Sequence, residues 1–256
     1  GRNIVSYFNK SHSTIKKSNF GFKIIMDYIK NIEKKCAICG HQHHYQKLVE
    51  NNSFGMRDLD TRPPGMMRSL MHLMVEKCPV CGYVNEDISK KLDHFQESEI
   101  LNQTYQQILH DKNLNFALKK FMLISMLLET RDYKKAGISY LRASWMADDS
   151  KNFKVALQMR SKAIKYLELS LKVEDDENVR LIIVDLYRRI SMFDEAFDYA
   201  KYLYDNFGME KYKKNILSYQ MQLCLAKDDL DHTILGNYHF SKDNEIKGDL
   251  DEHFSK

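Results

Sequence analysis

From about residue 97 onward, apolar positions recur at helical spacing, with short polar breaks between the runs. The clearest run covers 178–190, where Val179, Ile182, Ile183, Leu186, Tyr187 and Ile190 stand at i, i+3, i+4, i+7, i+8 and i+11. That spacing lays one apolar stripe along a helix. The next helix is expected to open at Phe193-Asp194-Glu195-Ala196, where acids complement the positive end of the helix dipole. It should run through Phe197, Ala200, Leu203, Tyr204 and Phe207 and stop at Gly208. Ahead of these helices, Met66 to Met74 reads as a short amphipathic helix with Met67, Leu70, Met71 and Met74 on one stripe.

Small residues punctuate the helical stripes. Tyr187 and Ala196 are nine positions apart, and Ala200 and Leu203 continue the same face. Leu127, Ala136, Tyr140 and Ala143 repeat that spacing, and Ala147, Ala156, Arg160 and Ala163 give a looser copy. Ala136, Ala156 and Ala196 are separated by 20 and 40 positions, whereas a regular tetratricopeptide repeat runs about 34. The pattern fits degenerate repeats of that kind or a plain antiparallel bundle. The expected fold is mainly α: a small four-cysteine, zinc-ribbon head with short β structure, then an antiparallel helical-hairpin, tetratricopeptide-like domain. The expected units are a basic N-terminal segment (1–30), the head (31–95), the helical repeat-like domain (96–228) and a polar tail (229–256) that lacks periodicity and should fray.

Composition agrees with long helices, since 256 residues include only 10 Gly and 3 Pro. No apolar run approaches the roughly 18 residues of a membrane span, and no secretory h-region is visible, so no membrane partner is expected. The cysteines carry the chemistry. Four of the five form two C-x-x-C pairs, Cys36-Ala37-Ile38-Cys39-Gly40 and Cys78-Pro79-Val80-Cys81-Gly82. Two-residue spacing lets both sulfurs of a pair face one ion, and the following Gly permits a left-handed turn. Two such knuckles close a tetrahedral shell around one structural zinc ion and leave no position for water or substrate. The 38 residues between the pairs exceed the usual ribbon spacing of about 15–20, so the head carries an insertion. The alternatives are redox dithiols, for which no βαβ context is visible, or two unrelated thiol pairs. Cys224 stands alone in a helical run and reads as a small buried apolar residue. His41, His43, His44 and His72 crowd the same region as exposed or hydrogen-bonded side chains, as ligands in place of a Cys, or as a second metal site.

The insertion contains Asp58-Leu59-Asp60-Thr61-Arg62-Pro63-Pro64. The two prolines hold the backbone extended and turn Arg62 away from helix. Asp58, Asp60 and Arg62 suit an internal ion-pair and turn network; with Arg68 and His72 they are alternatively a ligand or interdomain site. Two acids alone are too few for a free-standing metal site.

The sequence C-x-x-C, then D-L-D-T-R-P-P-x-M-M-R, then E-K-C-P-V-C-G-Y resembles an uncharacterised prokaryotic family, domain of unknown function 2225. The motifs cover roughly residues 30–90, and the helical remainder agrees in general pattern. The resemblance implies a cytoplasmic zinc-ribbon head followed by tetratricopeptide-like helices, and it implies no established activity.

The formal charge of +4 is too small to argue for nucleic acid by itself. Its distribution is uneven: residues 1–35 hold eight Lys/Arg against two acids, and residues 227–256 hold eight acids against four Lys. No P-loop, Rossmann glycine fingerprint, H-E-x-x-H or G-x-S-x-G is present. The leading reading is a zinc-binding, non-enzymatic interaction or scaffold module in the cytoplasm. Its protein or peptide partner would lie in a groove with Tyr140, Arg142, Trp145, Arg160 and Arg188, alongside Arg180 and Arg189. The bland alternative places those aromatics in the core. A second reading is nucleic-acid binding through the knuckles and Lys10, Lys16, Lys17, Lys23, Lys34 and Lys35. A third is an enzyme using Asp58, Asp60 and His72.

Overall fold

The computed structural model describes residues 29–48 and 55–234. Two antiparallel hairpins form the head. Strands β1 (Ile29–Lys35) and β2 (Gln42–Leu48) pair in register from Ile29 opposite Leu48 to Lys35 opposite Gln42. Strands β3 (Glu76–Lys77) and β4 (Val84–Asn85) make a second, shorter pair. Between the hairpins, Pro64 at φ −77° and ψ 162° introduces helix α1 (Gly65–Leu70). The expected single helix over 66–74 tightens into a 3₁₀ turn at Met71–Met74, while Met67, Leu70 and Met71 are buried as its stripe requires.

Among the described residues eight helices follow: α2 (Glu97–Leu101), α3 (Gln103–His110), α4 (Phe116–Leu128), α5 (Tyr133–Asp149), α6 (Phe153–Leu171), α7 (Glu177–Arg189), α8 (Phe193–Asn206) and α9 (Lys211–Leu225). The chain is mainly helical behind a short β head that bears the cysteines. Side chains of Asn102, Asn115, Asp132, Asn152 and Asp176 accept from first-turn amides and fix five helix starts. Helices α5, α7 and α9 end with Lys151, Ser191 and Lys227 at φ +57°, +63° and +52°. The amides that follow, of Asn152, Met192 and Asp228, each reach back 2.9 Å to the carbonyls of Ala147, Tyr187 and Leu223. These are Schellman ends built without glycine. Gly208, expected to stop α8, has no such role: the helix ends at Asn206, and Phe207 is already extended at φ −108°, ψ 132°.

The small residues read from the sequence mark close helix approaches. Ala136, Ala143, Ala163, Ala196 and Ala200 are fully buried. A Cβ on Gly137 of α5 would lie 2.7 Å from Cγ and 3.0 Å from the backbone nitrogen of Leu167 in α6. Gly137→Ala should therefore separate α5 from α6 and cost about 1–3 kcal/mol, measured as a lowered denaturation midpoint at unchanged slope.

One core runs from Cys36, Tyr45 and Tyr83 in the head through Ile88 and Phe95 into α4–α7. A second gathers Leu59 with Leu181, Leu203, Leu217 and Met221. The tail expected to fray from about 229 is ordered as far as it is described. The Leu59 amide donates to the His232 carbonyl (2.8 Å), and the Ile234 amide to the Arg57 carbonyl (3.0 Å), with Asp58 bridging Thr233 in antiparallel fashion. Lys10, Lys16, Lys17 and Lys23 of the basic segment, and the tail from 235 onward, lie outside the described residues.

Candidate metal centre

Each C-x-x-C pair occupies the turn of a hairpin. In the first, the Cys36 amide donates to the His41 carbonyl (2.9 Å) and the Gly40 amide to the Cys36 carbonyl (3.0 Å). In the second, Cys78 pairs with the Tyr83 carbonyl (2.8 Å) and Gly82 with the Cys78 carbonyl (3.2 Å). Gly40 and Gly82 sit at φ +74° and +77°, where a side chain is strained. Gly82 is doubly constrained, because a Cβ there would come within 2.6 Å of Leu109 in α3. The Tyr105 hydroxyl of α3 also donates to its carbonyl at 2.8 Å.

The two turns face each other. Sγ of Cys36 lies 3.7 Å from that of Cys81, and Sγ of Cys39 lies 3.6 Å from that of Cys78. All four sulfurs fall within 4.8 Å of one another. Metal–sulfur bonds of about 2.3 Å give a tetrahedron with edges near 3.8 Å, so these separations fit one shared ion. They are too long for disulfides, whose sulfurs stand about 2.05 Å apart. The four cysteines could therefore hold a metal ion, and among the described residues that grouping contains no histidine. Burial pushes the Cys36 and Cys81 thiols up. Cys39 is pulled down against its own desolvation, by a hydrogen bond from the backbone at His41 and by the other sulfurs.

Outside the sulfurs, the hairpins are tied by a buried ion pair. Glu76 accepts from Lys34 Nζ at 2.7 and 3.0 Å and from the Ile88 amide at 2.8 Å, while Lys34 also reaches Asp87 at 3.0 Å. The Ala37 amide donates to the Ile88 carbonyl at 2.9 Å and joins the first knuckle to the chain beyond β4.

The inserted segment is folded on itself and onto the helices. Thr61 adopts φ +72°, its amide bonding the Asp58 carbonyl (2.8 Å), and the Arg62 amide bonds Asp60 Oδ1 (3.1 Å). Asp60 accepts from Trp145 Nε1 at 2.6 Å, Arg62 Nη2 grips both oxygens of Asp149 at 2.6 Å, and Arg68 Nη2 reaches Asp58 at 2.5 Å. Burial, reinforced by Asp185, raises the Asp60 carboxyl to about 6. His72 does not join these acids. Its Nδ1 pairs with the Ser69 carbonyl at 2.9 Å, and its ring lines a different cavity.

A family model described as "Uncharacterized protein conserved in bacteria (DUF2225)" matches residues 29–223, from the first residue of β1 into α9. The chain belongs to this family. No curated protein and no solved structure gave a match. The DUF2225 match takes in both knuckles, the inserted segment and nearly all of the helices.

The groove residues fall differently from expectation. Tyr140, Trp145, Arg160 and Arg188 are 1%, 4%, 3% and 0% exposed, so they form interior contacts and not an open groove. The reason is that each polar end has an internal partner. Tyr140 donates to Glu129 and stacks on Tyr166 at 5.7 Å; Arg160 pairs with Asp148; Arg188 pairs with Asp185 at 2.6 Å. Arg142 keeps partial exposure and lies 3.8 Å from Glu86. Arg180 binds Asp175 at 2.7 Å. No helix among the described residues is long and apolar enough to cross a membrane.

Sequence reasoning missed three interior charges, Glu76, Lys120 and Asp185. Glu76 precedes the second knuckle, and its only signal was the mixed charge of the Glu76-Lys77 strand. Lys120 follows Lys119 in the mostly apolar run Phe116–Leu128, and of the two it is the one that turns inward, beside Phe121.

Proposed function

We propose that the chain is a non-enzymatic protein-interaction or scaffold module whose head is organised by one structural zinc ion on Cys36, Cys39, Cys78 and Cys81. The observation that carries the reading is the set of four sulfurs spaced for a filled tetrahedron. Four thiolates in that geometry suit zinc, which is redox-inert and needs no further ligand. Such an ion supplies four bonds that hold two weak hairpins together. A reducing, cytoplasmic setting keeps the thiols available for it. The internal engagement of Asp60 by Trp145 and of Arg62 by Asp149 supports the same reading, because these contacts tie the insertion to the helices, and Arg68 holds Asp58 within it.

Helix pairs of the tetratricopeptide-like kind bind partners through exposed faces. We place the contact at Phe153, Leu157 and Leu230, which are exposed and border a cavity of about 360 Å³. Arginines (Arg62, Arg189) and aspartates (Asp229, Asp231) both line it, a mixture that suits a peptide better than a polyanion. The test is cross-linking in the native host, comparing wild type with Phe153→Ser/Leu157→Ser. Loss of specific partners at unchanged zinc content and helical signal is expected. Identical partners for both chains would remove this face from the proposal.

A further inference from the structure

A second cavity, of about 280 Å³, lies where β2, the 3₁₀ turn and the start of α4 meet. Its lining includes Lys77, Lys120, His43, His44, His72 and Tyr45. Lys120 is only 5% exposed. Its ammonium donates to the His72 carbonyl and sits 4.6 Å from the centre of the Phe116 ring. An ammonium carries three N–H donors, and among the described residues this one has a single acceptor. The carboxylate bordering the cavity, Glu76, is already engaged by Lys34 and by the Ile88 amide. Lys77, partly buried, places a second amine in the same lining. Tyr45 contributes a buried hydroxyl without a hydrogen-bond partner.

A buried cation whose nearest carboxylate is hydrogen-bonded to another lysine is costly unless a ligand supplies further negative charge. We propose that this cavity binds a phosphate group, with Lys120 and Lys77 as its cations and the surrounding histidine rings as further donors. A phosphate oxygen would take the two N–H groups of Lys120 that have no acceptor. Burial, the largest influence on Lys120, lowers its pKa to about 8 although the nearby Glu76 carboxylate partly offsets it, and the ammonium stays charged at neutral pH. The volume admits a phosphate ester together with part of the group that carries it, at the small end of ligand pockets. The phosphate could belong to a small ester or to a nucleic-acid backbone. Neither choice depends on the partner face proposed above.

The experiment uses the metal-loaded full chain. Inorganic phosphate, adenosine monophosphate and a short single-stranded oligothymidylate are each titrated calorimetrically, with chloride at matched ionic strength as the control. Saturable binding of a phosphate-bearing probe by wild type is expected, weakened about tenfold or more in Lys120→Met. Without ligand, Lys120→Met should melt at the same or a higher temperature, because it removes a buried charge that its neighbours compensate only in part. If that variant loses zinc or helical signal, Lys77→Gln, at the half-buried rim, carries the comparison. Binding of the oligonucleotide alone assigns the phosphate to nucleic acid, and binding of the mononucleotide assigns it to a small ester. No saturable binding beyond the chloride control, or equal binding by wild type and a folded variant, overturns the site.

Discussion

Chelating the metal at neutral pH is expected to melt the head while most of the helical signal survives. The head's own pairing is slight: one pair of seven-residue strands with Tyr45 as the buried residue of β2, and a second pair of two-residue strands, joined besides the sulfurs by the Lys34–Glu76 ion pair, the Ala37–Ile88 hydrogen bond and the core shared with α4. Isolated two-stranded hairpins are marginal in water. Structural zinc in small domains contributes roughly 10–16 kcal/mol of apparent binding energy, which is folding energy wherever the site does not preform. Helices α5 and α6, with 17 and 19 residues and a shared close contact at Gly137 and Leu167, do not draw on the metal directly. Amide exchange should accelerate sharply across β1, β2 and residues 76–88, with a smaller effect on α4, which shares the head's core. Cys78→Ser should reproduce this, because Cys78 is fully buried and its loss leaves three sulfurs. Acid should act in the same sense, since protons compete with the metal for thiolates. Unchanged exchange in the hairpins after complete metal removal would contradict the structural role.

Arg188→Ala should be the most damaging single substitution in the helical part, costing about 3–5 kcal/mol. The side chain is 0% exposed. Its Nη2 donates to Asp185 at 2.6 Å, and its Nη1 to the carbonyls of Asp228 (2.6 Å) and Leu230 (2.9 Å). Truncation strands the Asp185 carboxylate, itself 1% exposed, in the interior. It also frees residues 228–234, so the pairing of the Leu59 amide with the His232 carbonyl should open. Thermal melting checks the first effect and amide exchange at Leu59 the second. Arg188→Lys should rescue little, because a point charge cannot reproduce a fork that serves a carboxylate and two carbonyls. Arg188→Met combined with Asp185→Leu should recover much of the melting temperature but not the protection at Leu59, since it removes both buried charges while leaving the tail without its donor. A fully stable Arg188→Ala chain with the Leu59 amide still protected would show that the tail docks without this arginine.

The helices and the cysteine quartet were legible because both are local signals. Val179, Ile182, Ile183 and Leu186 face the core because of a spacing anyone can count, and C-x-x-C-G prescribes its own turn. What escaped depends on partners far away in the chain. Trp145 looks like an interface anchor until Asp60, 85 positions earlier, is found accepting from its indole. The segment 228–234 has no periodicity to read, because its backbone pairs beside Arg57–Leu59 and its carbonyls at 228 and 230 take the distant Arg188 side chain. Arg188 did leave a trace: Asp185 and Arg188 sit on the face of α7 that also carries Leu181, so an i,i+3 ion pair interrupts an apolar stripe. Local acids and bases of this kind read as solvated until burial shows otherwise.

Metal analysis combined with X-ray absorption at the zinc edge, on wild-type chain purified under reducing conditions, bears most directly on the head. One zinc per chain with four sulfur neighbours at about 2.3 Å is the expected result. A first shell containing nitrogen or oxygen, or thiols of Cys36, Cys39, Cys78 and Cys81 recovered as disulfides with no bound metal, would contradict it.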